Sequence, residues 1–340
     1  MPFTIHVTSD FDQMSAVAAD IVAADIEEKQ ASKPGYVLGL ATGNSPTGLY
    51  KHLAKAFNAG GLDAGRVRTF NLDEYVGLPG ENAQQRTLNR ESYSYFMTTE
   101  LFALMRRKFA ETNVPWGTLV DQPELVAALE RQPDDYELQG ADKGKAVVIE
   151  AGAGGVLREI KDDVLDAYDA KIATAGGIDL HVVGVGGRGH VAFHESGIPF
   201  AGKRVLLVKL DDNTVDNAVA DGHFPTKQDS PWYAISMGTE LVYEARKVVL
   251  LANGPRKTGP VAESILGEVT CDVPISYGQR YAAGGGDLVY VLDEDAAAGV
   301  LAERDAVAAR GCRIVDHRGE PYGRVADLVF ARDADSGLVG

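Results

Sequence analysis

A strand-length apolar run, Ile178-Asp179-Leu180-His181-Val182-Val183, passes into the glycine-rich turn Gly184-Val185-Gly186-Gly187-Arg188-Gly189, which delivers His190 and, five residues later, Glu195. A histidine exchanges protons near neutral pH, and a carboxylate on one ring nitrogen orients it. A second candidate is the pair Asp73-Glu74, just past the short β-like run at residues 67–71. Neighbouring side chains in extended chain point to opposite sides, so one of the two faces a given ligand. Asp73 is that candidate, because a partly closed pocket raises a carboxylate's proton affinity into the range of a general base near neutral pH. In the third segment, Leu38 to Tyr50, a strand-like run ends in Thr42-Gly43-Asn44-Ser45-Pro46. Ser45 suits a helix cap and Pro46 the first helical turn. Free amides at that helix start, with the Thr42 and Ser45 hydroxyls, suit an anion such as a phosphate. The P-loop lysine and the dinucleotide glycine spacing are both missing, so ATP and NAD are not indicated. His181, inside the apolar run, reads as a core residue, and His194 is a weaker candidate than His190.

Elements that position these residues alternate along the chain. Strands are predicted at residues 3–8, 36–41, 67–71, 179–185, 205–210, 248–252 and 288–292, and helices at 11–29, 46–58, 92–108, 159–175 and 256–266. That order predicts an α/β fold: a doubly wound, mostly parallel sheet with helices on both faces, a Rossmann-like three-layer sandwich. Ligands of such sheets bind beyond the carboxyl ends of the strands, where all three segments fall. The expected organisation is a single domain over residues 1–295, with a surface insertion at about residues 117–155, and a C-terminal extension over 296–340. The last forty residues show little that belongs to a sheet core, apart from a helix expected at 301–309.

Composition excludes several classes of function. The 340 residues are 45% hydrophobic, enough to bury a sizeable core, and 49 acidic against 33 basic side chains give a formal charge of −16. Such a charge repels nucleic acid and anionic membranes at long range, while a local cluster of positive groups still holds a small anion. Cys271 and Cys312 are too few for a disulfide framework and lack metal-ligand spacing. No apolar run reaches membrane-spanning length and no leader pattern opens the chain. The expectation is a cytoplasmic protein with a small-molecule partner, without nucleic-acid or membrane partners and without metal; the sequence leaves homo-oligomerisation open.

Four ordered motifs together resemble the glucosamine-6-phosphate deaminase family, whose superfamily includes the 6-phosphogluconolactonases. They are Leu40-Ala41-Thr42-Gly43-Asn44-Ser45-Pro46, the stretch from Phe70 to Pro79 around Asp73, Ser92-Tyr93-Ser94-Tyr95-Phe96-Met97, and the stretch from Gly184 to Glu195. The resemblance implies an aldose–ketose isomerisation coupled to loss of ammonia, turning an amino-sugar 6-phosphate into fructose 6-phosphate without a cofactor. It makes Asp73 the base that moves a proton between C2 and C1. His190, held by Glu195, would assist ring opening. Thr42, Gly43, Asn44 and Ser45 would surround the phosphate, and Lys257 would add a positive charge to it.

The chain also departs from the family pattern. Arg188 stands where many members have Asp or Asn, beside the catalytic candidate His190 and within reach of an anionic substrate group. The arginine that the family supplies to the phosphate has no counterpart in Val219-Ala220-Asp221-Gly222-His223-Phe224-Pro225, leaving Arg204, Lys227 or Arg188 to compensate. His194 replaces the usual asparagine before the glutamate. Two alternatives follow: a lactone hydrolase, to which the Asp73–Pro79 and Phe193–Glu195 motifs are less similar, and a non-catalytic sugar-phosphate sensor, against which stand the acidic charge and the missing basic helix-turn-helix.

Overall fold

The computed structural model describes residues 3–331 and 333–339. The strands, in chain order, are β1 (Phe3–Thr8), β2 (Tyr36–Leu40), β3 (Val67–Asn71), β4 (Asp73–Val76), β5 (Glu111–Asn113), β6 (Tyr136–Gln139), β7 (Lys145–Ile149), β8 (Leu180–Val183), β9 (Val205–Lys209), β10 (Tyr233–Met237), β11 (Lys247–Ala252), β12 (Asp287–Asp293) and β13 (Cys312–Asp316). Eight of them build one sheet in the order β13-β1-β12-β11-β8-β2-β3-β5, with every neighbouring pair parallel.

Burial on both faces explains why these strands read as continuous apolar runs. Along β12, Leu288, Tyr290 and Leu292 face one hydrophobic layer while Val289 and Val291 face the other. The first layer is closed by helices Ala167–Thr174, Thr258–Leu266 and Glu294–Ala302, through Tyr168, Ile172, Val261, Ile265, Ala296 and Val300. The second is closed by helices Phe11–Gln30 and Thr47–Asn58, through Met14, Val22, Ile26, Leu49, Leu53 and Phe57. The doubly wound sandwich is therefore present, but it is not the only sheet.

β4, β10, β9, β7 and β6, in that order, form a second sheet in which every pair is antiparallel. Residues 117–155, expected as a surface elaboration, supply β6 and β7 to it. Helix Gln122–Arg131 packs Leu125, Ala128 and Leu129 against Val147, Ile149, Leu207 and Ile235 of this sheet. Leu72 joins the two sheets: its N–H donates to Leu40 O at 3.0 Å and its carbonyl accepts Met237 N–H at 2.8 Å. The chain thus leaves the parallel sheet at the end of β3 and enters the antiparallel one at Asp73.

The C-terminal region also differs from expectation. β13 adds an edge strand beside β1, with Phe3 opposite Cys312 and Val7 opposite Asp316. Further on, Leu328 and Leu338 join the layer against helices Phe11–Gln30 and Thr47–Asn58, and Asn58 Nδ2 donates to Gly337 O at 2.7 Å. Among the described residues, no helix is long and apolar enough to cross a membrane.

Candidate active site

A cleft of about 510 Å³ opens beyond the carboxyl ends of β2, β3, β8 and β11. It straddles the point where the order reverses, with β3 on one side of β2 and β8 on the other. Such a reversal separates the crossing loops and leaves a crevice between them. The residues 42–45, Asp73, His190 and Lys257 all line it.

Asp73 and Glu74 divide as adjacent residues of an extended strand must. Asp73 lines the cleft and is only 6% exposed. No hydrogen-bond donor among the described residues serves its carboxylate. Burial, and secondarily the charge of Glu74, push its pKa well above the usual carboxylate range. Glu74 turns away. Its Oε1 accepts Tyr75 N–H and Tyr93 N–H, both at 2.9 Å, and its Oε2 accepts Ser94 N–H at 3.0 Å and Ser94 Oγ–H at 3.1 Å. Glu74 therefore seats the start of helix Tyr93–Met97, although burial still pushes it up to about 7. Tyr93, which the motif contained but no role was attached to, lines the cleft with its ring stacked on Phe193 at 5.9 Å.

His190 is positioned by a tight turn. Gly186 N–H donates to His190 O at 3.0 Å, and a Cβ on Gly186 would stand 1.8 Å from His190 Nε2, so only glycine lets the ring lie there. Nδ1 bonds to Glu195 Oε2 at 3.1 Å, and Nε2 has no partner among the described residues. Glu195 is 2% exposed. Burial alone would raise its pKa, but bonds from His190, Thr214 and the Asp211 N–H outweigh that and hold it below the usual range. The bonded carboxylate makes Nδ1 the protonated nitrogen and leaves Nε2 for the cleft. Ala192, between His190 and Phe193, takes a left-handed φ of 51°, a conformation uncommon outside glycine, and also lines the cleft.

The other two histidines of this region are structural. His194 Nδ1 accepts Thr239 N–H at 3.1 Å, and its Nε2 donates to Ile198 O at 3.0 Å. His181 Nδ1 lies 3.1 Å from Val242 O. Burial pushes each of them down to about 4, so both are neutral at physiological pH.

Gly43 turns the 42–45 loop with φ +94°, which glycine adopts at little cost. Ser45 does not cap the helix: its Oγ donates to Asn253 Oδ1 at 2.7 Å, and Thr47–Asn58 begins after Pro46 with no side-chain cap. Thr47 N–H, the first amide of that helix, is taken by Asn44 O at 3.3 Å, so what this segment offers an anion in the cleft is the 42–45 loop. Lys257 approaches from the loop after β11 and makes no ion pair among the described residues. Burial, then the nearby Arg256, holds its pKa below the usual lysine range. Arg188 is directed elsewhere: Nη2 meets Asp142 at 2.5 Å and Nη1 lies 3.9 Å from Asp211, and the residue does not line the cleft. Polar cleft residues to which the sequence reading gives no role include Tyr93, Asp221, His223, Asn253 and Arg256. Among the described residues, no cluster of three or more His, Cys, Asp or Glu side chains could hold a metal ion.

No protein-family model matches the chain. It is 33% identical to the glucosamine-6-phosphate deaminase of Clostridium acetobutylicum over 86% of its own length and 98% of that protein. The same identity, over 86% of this chain and 95% of the relative, relates it to the glucosamine-6-phosphate deaminase of Clostridioides difficile. Among solved structures, a monomeric glucosamine-6-phosphate deaminase superposes with a TM-score of 0.64 at 24% identity, covering 87% of this chain and 99% of that one. The 6-phosphogluconolactonase of Trypanosoma cruzi superposes with a TM-score of 0.55 at 20% identity, covering 88% and 97%. At these identities the superpositions show the shared α/β fold, and the sequence relatives show more: the chain is an enzyme of the glucosamine-6-phosphate deaminase family.

Proposed function

We propose that this enzyme converts glucosamine 6-phosphate and water to fructose 6-phosphate and ammonia. The observation that carries the reading is convergence. A buried carboxylate without donors, Asp73, and a carboxylate-held imidazole, His190, open onto one cleft, and the 42–45 loop and Lys257 stand in the same cleft. The names of the sequence relatives support the same reaction.

In this reading the phosphate rests on the 42–45 loop and on Lys257. His190 Nε2 takes the proton of the C1 hydroxyl and passes it to the ring oxygen, so that the C1–O5 bond breaks and C1 becomes an aldehyde. Glu195 keeps Nδ1 protonated and so keeps Nε2 available for this shuttle. Asp73 then removes the proton on C2. The electron pair forms a C1–C2 double bond while the C1 oxygen takes up a proton, giving an enolamine. Return of the proton to C1 leaves an imine at C2. Water adds there, ammonia leaves, and the C2 ketone remains. The raised proton affinity of Asp73 suits it to take a carbon-bound proton. Arg188 has no substrate contact in this reading.

The test is incubation with a panel of hexose and amino-hexose 6-phosphates, following ammonia and ketose phosphate separately. Both products from glucosamine 6-phosphate are expected. Ketose without ammonia would reassign the substrate to a neutral sugar phosphate. Acid release from 6-phosphogluconolactone with neither product would move the enzyme to the hydrolase branch, and binding without turnover of any substrate would make it a sensor.

A further inference from the structure

The segment expected as a surface elaboration carries a turn, Gly140-Ala141-Asp142-Lys143-Gly144, between β6 and β7. Pairing of β7 with β9 sets Lys145 opposite Lys209, so the turn lies beside the chain that runs from β9 into Asp211. Ala141 N–H donates to Gly197 O at 2.9 Å, and Gly144 N–H donates to Asp211 Oδ2 at 3.2 Å. Asp142 meets Arg188, and Lys143 pairs with Asp212. These partners flank one side chain. Gly197 stands two residues after Glu195, Asp211 N–H donates to Glu195 Oε1 at 3.1 Å, and Thr214 of helix Asp212–Ala220 bonds to the same carboxylate.

The turn also touches Glu195 directly. A Cβ on Gly144 would stand 2.7 Å from Glu195 Cβ, 2.8 Å from Glu195 Cγ and 3.3 Å from Asp211 Cβ. Carbon atoms in contact keep about 3.5 Å or more, so an alanine would force the Glu195 stem aside. Gly144 is not among the glycines with positive φ, so its conformation does not call for glycine; the close approach does. With its stem against Gly144 and its oxygens on His190 Nδ1 and Asp211 N–H, Glu195 is held from both ends.

We propose that the 140–144 turn is a positioning element of the proton shuttle, with Gly144 as the positioning residue: the Glu195 stem lies against its bare Cα, and that contact keeps the carboxylate on His190 Nδ1. This rests on the reading of His190 and Glu195 as the ring-opening pair. No residue of the turn lines the cleft, so the turn acts through Glu195 and not on the substrate. A displaced carboxylate no longer selects the ring tautomer that leaves Nε2 open, and a misplacement of about 1 Å is enough to cost catalysis heavily.

The test uses the full chain with nitrogen-15-labelled histidine, as wild type, Gly144→Ala, Asp211→Asn and Gly152→Ala. Gly152 is the matched control, a glycine of the same segment whose Cβ would meet nothing within 4 Å. Long-range proton–nitrogen spectra at about pH 9, well above the ordinary imidazole range, read which nitrogen of His190 carries the proton, the signal being identified by its loss in His190→Asn. Wild type and Gly152→Ala should show Nδ1–H. Gly144→Ala should lose that tautomer, with kcat for deamination lower by about tenfold or more and KM within about threefold. Asp211→Asn keeps an oxygen for Asn213 N–H and the N–H for Glu195, but sets an amide NH₂ against Gly144 N–H; it should move the tautomer in the same direction and lower kcat about threefold. An unchanged Nδ1–H tautomer in Gly144→Ala, or in Asp211→Asn should the alanine variant not fold, overturns the proposal, whatever happens to kcat. An equal tautomer shift in Gly152→Ala also overturns it. Because the tautomer is read without substrate, failure of the deaminase reaction in the substrate panel is a separate result.

Discussion

The two walls of the cleft treat a buried carboxylate in opposite ways. At the end of β3, Asp73 is buried with no donor to its oxygens, and its pKa is pushed up. Beyond β8, Glu195 is at least as buried, yet donors from His190, Thr214 and Asp211 hold its pKa down. Burial is common to both, and what separates them is the set of bonds to Glu195, the one from His190 foremost with its charge; donors alone do not suffice, because Glu74 accepts four and is still pushed up. A carbon-bound proton calls for the first kind of group, and an imidazole that must keep one tautomer calls for the second.

The largest expected effect comes from removing the carboxylate proposed as the base. Asp73→Asn should lower kcat on the order of 10²- to 10⁴-fold with little change in phosphate binding. The same substitution should stabilise the fold at neutral pH. The folded pKa of Asp73 lies above its unfolded value, so its contribution is most favourable below about pH 4 and is lost as pH rises through the raised value. The thermal midpoint of the variant should therefore gain on the wild type between pH 5 and pH 8. In the wild type, kcat/KM should fall with acid at a pH above the ordinary carboxylate range. An acid limb near pH 4 would remove Asp73 from the role of base.

Next in size is Glu195→Gln. The amide NH₂ placed against His190 Nδ1 would make that nitrogen an acceptor and move the ring proton to Nε2, the wrong tautomer for accepting the C1 hydroxyl proton. A fall in kcat on the order of 10²-fold is expected, with KM much less affected. Its pH signature is opposite to that of Asp73→Asn. The depressed pKa of Glu195 stabilises the fold above its unfolded value, near 4.5, and that contribution is lost as pH falls through the folded value. Glu195→Gln should be less stable than the wild type at pH 7, with the gap closing in acid. Denaturant midpoints at pH 7 and pH 3.5 measure this, and a gap that stays constant would refute the claim that the His190, Thr214 and Asp211 bonds hold Glu195 down.

A smaller effect is expected at Glu74, the neighbour that faces away from the substrate. Glu74→Gln replaces an acceptor that serves four donors with a group that can accept on one oxygen only. The loss should cost about 2 to 3 kcal/mol of unfolding free energy and loosen the start of helix Tyr93–Met97. Urea titration measures the first, and hydrogen exchange at Tyr93 and Ser94 the second.

How much of this was legible in the sequence depended on whether a feature has a local signature. The core strands did: β11 and β12 are apolar on both faces and stop at turn residues. The three motif segments also did, because glycine turns, a strand-end carboxylate pair and a helix-start loop are written in consecutive residues. The antiparallel sheet was not legible. β6 and β7 sit between charged and glycine-rich stretches, and β9, the partner of β7, has the same apolar pattern whether it joins a parallel or an antiparallel sheet. β13 is an edge strand with Arg313 and Asp316 along it, so nothing marked it as part of the sheet. Ser45 was assigned to the cap by its type, but its actual partner, Asn253, lies 208 residues away. His223 lines the cleft, but a lone histidine in a polar turn has no local signature that marks it for one.

The smallest effect sharpens the comparison most directly, since it asks whether the charge next to His190 matters. Arg188 is separated from His190 by a single residue, but its guanidinium turns outward to Asp142 and is 45% exposed. An exposed pair of this kind is worth at most about 1 kcal/mol and is screened by salt. Arg188→Ala should therefore change stability by less than about 1 kcal/mol and leave kcat and KM within about threefold, with the difference shrinking as ionic strength rises. Asp211 links the two neighbourhoods: its N–H donates to Glu195 Oε1 at 3.1 Å and its carboxylate lies 3.9 Å from Arg188. If the donors to Glu195, and not the wider field, hold that carboxylate down, removing the arginine leaves the His190–Glu195 pair and its pH profile in place. A tenfold rise in KM for the phosphorylated substrate, with kcat unchanged, would instead show Arg188 swinging into the cleft when the phosphate binds. In that case the wall beyond β8 would carry substrate charge as well as proton transfer.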